Sequence, residues 1–228
     1  MHGEFEVSRV PRSLCTFLHG MFFCVAAWIY FGGGSELVTS LLGQTTTIEV
    51  DQGRRVLLMA FGAILFARMT FTLLVILKRR FGWDEFWGVV TALFTYQIAF
   101  AILAVSTQSA LGAGDVVAAA VFLWGSYLNT ASEVQRKRFK DRPENQGQLF
   151  TQGLYRYARH INYFGDTLWV GSWAYVTHNL WAAIIPVVLA CGFIFAFIPS
   201  LTTHLRTNYA DQFAAWEKDT KAFIPFIY

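Results

Sequence analysis

The stretch LLMAFGAILFARMTFTLLVIL, residues 57–77, holds one charge, Arg68, in twenty-one residues. About twenty apolar residues cross a bilayer core as an α-helix. In lipid no water is present to satisfy the backbone, so a spanning segment of this kind must be helical. Arg68 stands near its middle, where an arginine costs roughly 2.5–3.5 kcal/mol on insertion scales. The helix end at Lys78 lies ten residues on, about 15 Å at helical rise, which is far to snorkel. Arg68 is therefore expected to face the bundle interior and to meet either a carboxylate, Glu133 or Asp166, or an anionic ligand.

Five further apolar runs accompany it, and the six together cover about 14–31, 56–77, 85–106, 115–131, 163–178 and 180–200. The whole chain of 228 residues is 55% hydrophobic and 14% charged, whereas soluble domains carry about 25% charged residues. The expected fold is all-α, a polytopic transmembrane helix bundle of about six to seven spans. It forms a single integral-membrane domain over 1–228 whose later part, 129–228, carries the polar motifs. The fifth run is short for a full span. The connection 32–55 reads as a loop with a short surface helix, and a seventh span would need 36–53 to re-enter. It holds no glycine-rich dinucleotide fingerprint after a strand. Cys15, Cys24 and Cys191 are odd in number, lie in apolar runs and have no metal-ligand spacing, so they read as buried thiols. The N-terminal MHGEFEVSRVPRS does not read as a cleaved signal segment.

Basic clusters orient the bundle. KRR (78–80) closes the second run, RKRFK (136–140) closes the fourth, and Arg9 and Arg12 precede the first. All fall on one side if both termini are cytoplasmic; Arg54 and Arg55 are the exception. The net charge of +3 is small and its basic residues are clustered, which speaks for orientation in a membrane and not for nucleic acid. The expected setting is a bacterial inner membrane or the endoplasmic reticulum, with membrane lipid as neighbour and oligomeric state open.

Two polar stripes meet that cytoplasmic side. Asn129, Glu133, Arg136 and Lys140 recur at i, i+4, i+7 and i+11, as do Asn162, Asp166, Trp169 and Trp173, so each set lies on one helix face. They can line a common pocket, or they can be polar contacts between helices with solvated ends. Arg156 and Arg159 precede the second stripe at the rim. His160 has no second histidine at ligand spacing, so no metal site is expected. No serine sits in a nucleophile elbow.

EVQRKRFKDRPENQGQLFTQGLYRYARHINYFGD (133–166) and AAWEKDTKAFIPFIY (214–228) together resemble the steroid 5α-reductase C-terminal-domain family, and within it the DUF1295-like membrane reductases. The resemblance covers about 60–228 and is specific over 129–166. It implies NADPH-dependent reduction of a carbon–carbon double bond conjugated to a carbonyl, in an apolar steroid-like or other lipid substrate. It implies that Asn129, Glu133 and Lys140 match cofactor-binding positions. Asn162 and Asp166 match the acid-bearing N-Y-F-G motif, with Arg159 and His160 before it, and Tyr209 matches a tyrosine near the cofactor. Arg68 falls beside a phosphate-contacting arginine, with Arg79 and Arg80 near further basic positions. Such a role suits the chemistry: arginine forks and lysines fit phosphates, and the cofactor brings the hydride.

The sequence departs from the family in places. Ile161 replaces a proline. Phe66 stands near where steroid reductases carry a carbonyl-polarising tyrosine, so the catalytic group is open among Glu36, Tyr30, Tyr96 and Tyr163. Isoprenylcysteine and phospholipid methyltransferases share the R-H-x-x-Y-x-G element and use S-adenosylmethionine, the alternative cofactor. Their C-terminal helix usually carries an acidic pair, which SLTTHLRTNYADQF (200–213) lacks.

Overall fold

The computed structural model describes residues 8–41, 43, 51–105, 107 and 109–228. Among these there is no strand, and the all-α transmembrane bundle expected from the sequence is what they form. Helix α1 is Arg9–Phe31, α2 Gly34–Leu41, α3 Gln52–Phe71, α4 Trp83–Phe94, α5 Phe100–Ala104, α6 Ala113–Lys140, α7 Ile161–Val176, α8 Ile184–Gly192 and α9 Ile198–Asp219. Wider π-turns extend α3 (Thr72–Ile76), join α4 to α5 (Thr95–Ala99) and join α8 to α9 (Phe193–Phe197).

Four stretches are long and apolar enough to cross a membrane: Arg9–Phe31, Gln52–Ile76, Trp83–Ala104 and Leu180–Asp219. The other two apolar runs lie on α6 and α7. The first of these is 28 residues long and carries the polar stripe on its later half, while the second is 16 residues, short of the twenty or so that a straight crossing needs. The expected surface helix after α1 is α2. The possible re-entry over 36–53 falls in part on residues outside the described ones, as does most of the N-terminal segment.

The chain forms two compact units. One holds the described residues up to Ala118 together with Trp173–Ala183; the other holds Ala119–Ser172 and Ile184–Tyr228. In the first, α1 turns Cys15, Ala26 and Ile29 inward, α3 contributes Leu58, Phe61 and Leu65, and α4 contributes Phe86 and Leu93. Trp173 stacks on Phe100 at 5.4 Å and meets the Phe61 ring edge-on at 6.0 Å. Phe17, Met21, Leu74, Val75 and Trp87 point outward, as helices bathed in lipid require.

Two arginines finish this unit. Arg12 is buried and caps the end of α3's π-turn, donating to the carbonyls of Leu73 (2.7 Å), Leu77 and Arg79, which no helical N–H can reach. Arg54, the apparent outlier of the charge pattern, is fully buried. Its fork holds Asp115 at 2.7 and 3.1 Å, and its remaining N–H groups reach the carbonyls of Ser109, Ala110 and Val176. His178 Nε2 also bonds Asp115, at 3.1 Å, while its Nδ1 meets Ser109 Oγ at 2.8 Å. Burial with a partner for every donor makes this arginine part of the packing and not a loop charge.

The second unit depends on a close approach. Gly125 of α6 and Gly165 of α7 face each other so tightly that a Cβ on either would stand 2.6 Å from the other's carbonyl oxygen. Small residues let helix backbones meet in membranes. Here they bring the two polar stripes together. Around them Leu128, Phe150, Tyr155, Ala158, Ile161, Phe213 and Trp216 form one core cluster.

Candidate functional site: a carboxylate hub in the second unit

Glu133 is the centre of the site. Its Oε1 accepts from the Tyr155 hydroxyl at 2.9 Å and from Asn162 Nδ2 at 3.1 Å, and its Oε2 accepts from Arg136. Asn129 Nδ2 donates to the Asn162 carbonyl at 3.3 Å. The structure therefore joins Asn129 and Glu133 of one stripe to Asn162 of the other. One turn along α7, Asp166 accepts from Trp169 Nε1 at 2.8 Å, which ties two members of the second stripe to each other.

Tyr155 is the residue that sequence reading passed over. It is buried, its hydroxyl is held by Glu133, and its carbonyl accepts from Trp216 Nε1 at 3.3 Å. Burial, opposed by Arg136 and reinforced by Glu133, pushes its phenol well above the usual range, so it stays a donor. Its place inside GLYRYARH was the available signal, but nothing in the periodicity separates it from a packing tyrosine.

Cations surround the hub without being consumed by it. Arg136 pairs with Glu133 through one edge only, lies 6.0 Å over the Tyr155 ring and remains 46% exposed. Lys140, on the next turn, is exposed and donates to Tyr209 at 3.0 Å and to the Gln148 carbonyl. The α6 end, the following loop and α9 thus converge, with Gln212 fastening the loop by accepting from Leu149 N at 2.8 Å. Arg156 is exposed and meets its neighbour Tyr157.

Arg159 has a different employment. It donates to the carbonyls of Glu217 (3.1 Å) and Thr220 (3.0 Å) and pairs with the Glu217 carboxylate at 3.4 Å; Arg206 holds the same carboxylate at 2.8 Å. The backbone N–H groups of Arg159 and His160 donate to Lys221 and Ala222, so this arginine ties the C-terminal segment to the start of α7. His160 is buried, and its ring stacks on Tyr163, which stacks on Phe193 at 4.4 Å. Its Nε2 has no hydrogen-bond partner among the described residues. Burial first, then the charges of Arg159 and Arg136, push its pKa down to about 4, so it is neutral at ordinary pH.

The other expected residues belong to the first unit. Arg68 is half-buried on α3. Arg79 is exposed and holds Glu85 through both nitrogens of its fork, at 2.6 and 2.7 Å, and Arg80 is exposed. Glu36 is exposed in the first turn of α2, and Tyr96 stacks on Phe100 at 6.4 Å. Tyr30 is buried with its hydroxyl unpartnered among the described residues. No cluster of three metal-ligating side chains occurs among the described residues.

A curated relative matches part of the chain. The Delta(14)-sterol reductase erg24 of Schizosaccharomyces pombe is 29% identical over 129 residues, covering 46% of this chain and 28% of that protein. The chain thus spans well under a third of that relative's length. Residues 82–220, which run from the start of α4 to the end of α9 and include every residue of the Glu133 hub, match the family described as "Protein of unknown function (DUF1295)". That match covers more than half of the chain, which therefore belongs to the DUF1295 family.

Proposed function

We propose that this protein is a membrane-embedded reductase that uses NADPH to reduce a carbon–carbon double bond conjugated to a carbonyl in an apolar, steroid-like or other lipid substrate. The observation that carries the reading is the Glu133 hub. One carboxylate aligns Asn162, Tyr155 and Arg136, and leaves Arg136 and Lys140 exposed beside it. A hub already satisfied by its own chain does not need a ligand to fold. Its exposed rim of cations suits one with several phosphate charges.

The residues fit such a cofactor. Arg136, Lys140 and Arg156 would hold phosphate oxygens. Asn129, Asp166 and Tyr209 would meet hydroxyl and amide groups, and the buried Nε2 of His160, without a partner among the described residues, offers one further contact. When bound, NADPH supplies a hydride; the protein orients it and keeps water away. Glu133 and Tyr155 act by positioning Arg136 and Asn162. The relative named above is by name a reductase of a sterol, which supports reduction of a lipid substrate here.

Titration of the purified protein with NADPH, and separately with S-adenosylmethionine, tests the reading. Saturable NADPH binding should weaken by about 1–3 kcal/mol in each of Asn162→Ala and Asp166→Ala, the range for losing a buried polar partner. Tight S-adenosylmethionine binding with no NADPH response would assign the site to methyl transfer instead.

A further inference from the structure

Inside the first unit, three helices bring polar groups to one point in otherwise apolar surroundings. His19 lies ten residues into α1, about 15 Å from its start, and is 1% exposed. Gln97, equally buried, sits in the π-turn Thr95–Ala99. Its Nε2 donates to the Gly62 carbonyl of α3 at 3.1 Å and stands 3.1 Å from His19 Nε2. A Cβ at position 62 would come within 2.7 Å of Gln97 Oε1, so the glycine leaves room for this contact.

The arrangement sets the tautomer. The Gln97 amide nitrogen faces a backbone carbonyl on one side, and so can only be a donor there. The same NH₂ group offers its other hydrogen to His19 Nε2, which must accept. The ring proton of neutral His19 therefore resides on Nδ1. That atom is buried and has no partner among the described residues. A donor without an acceptor in a membrane interior is costly, and a π-turn in a helix is often found at functional sites. Phe66 packs edge-on against the His19 ring at 5.2 Å. It supplies an apolar wall and no hydroxyl that could take the contact.

We infer that His19, positioned by Gln97, is a binding site for the oxygen of an apolar ligand: His19 Nδ1–H donates to a carbonyl oxygen that enters from the membrane. The inference rests on the reductase reading only for the choice of a conjugated ketone as that ligand. The site itself needs an acceptor oxygen on an otherwise apolar molecule.

The test uses the full chain in phosphatidylcholine nanodiscs with testosterone carrying carbon-13 at its conjugated carbonyl, with and without NADPH. Difference infrared spectroscopy reads the carbonyl stretch. Wild type should show a saturable band at lower frequency than the ketone in protein-free nanodiscs. His19→Phe should abolish it and weaken binding about tenfold, as for one buried hydrogen bond. Gln97→Leu, which frees the tautomer, should weaken the band, and His19→Asn should keep part of it. Thermal melts of each variant separate loss of the contact from loss of the fold. A band unchanged in a folded His19→Phe, or no shifted band with or without NADPH, overturns the inference; an internal water then satisfies Nδ1. A shifted band in a protein that binds no NADPH removes the cofactor reading and leaves this site standing.

Discussion

Arg54 and Arg136 are both arginines paired to a carboxylate, in different units and with opposite fates. Arg54 is sealed: 0% exposed, with Asp115 at 2% and every side-chain donor committed to its own chain. Arg136 is bound to Glu133 yet nearly half exposed, and Lys140 beside it is exposed too. The contrast separates two uses of charge in a greasy chain. A saturated, buried pair fixes structure and has nothing left to offer. A carboxylate that aligns its neighbours while leaving cations at the surface builds a place for an anion.

The contrast breaks most visibly at Arg54. Arg54→Leu strands Asp115 in the first unit and should cost about 3–5 kcal/mol of stability, read as a lower melting temperature in nanodiscs. Protein that remains folded at low temperature should still bind NADPH with near-wild-type affinity. A loss of affinity without loss of stability would mean that the sealed pair is part of the site.

Acid should act on the second unit through His160. Its folded pKa, about 4, lies below the unfolded value of about 6.5, so the folded state favours the neutral ring. The stability this represents is whole above about pH 6.5 and is lost as pH falls towards 4, by roughly 3 kcal/mol in all. His160→Phe should flatten that part of the pH–stability curve. An unchanged curve would place the acid sensitivity elsewhere.

Glu133→Ala removes the carboxylate that aligns the second unit's polar groups. It leaves Tyr155 and Asn162 without their acceptor, costing about 1–3 kcal/mol, and should weaken NADPH binding along with stability. Glu133→Gln keeps an acceptor for Tyr155 and should retain most of the stability while still losing affinity, because Arg136 is no longer held by charge. Equal loss of both in the two variants would make the hub purely structural. The smallest effect is expected at Arg79, whose pair with Glu85 is exposed. Arg79→Ala should change stability by at most about 1 kcal/mol, measured by the same melts.

The stripes Asn129–Lys140 and Asn162–Trp173 were legible because helical periodicity is local, and the apolar runs were legible because a span needs a minimum length. The partners within the hub were not. Glu133 meets Tyr155 and Asn162, 22 and 29 residues away, and only the packing of Gly125 on Gly165 decides that they meet. Arg54 read as a loop charge because its carboxylate lies 61 residues on. Arg159 read as a rim cation, whereas tertiary contacts give it Glu217. The π-turns have no sequence signature at all, so Gln97 and its histidine were invisible as a pair: a lone His19 in an apolar run looks like any packed core residue.

Turnover reads the proposed reduction itself. Purified protein in nanodiscs is given NADPH and a conjugated steroid ketone, and NADPH absorbance is followed while mass spectrometry identifies the product. NADPH consumption should depend on the ketone, the product should gain two hydrogens across the double bond, and Asn162→Ala and Lys140→Ala should slow turnover strongly. Transfer of a methyl group from S-adenosylmethionine to a lipid acceptor, with NADPH untouched, would contradict it.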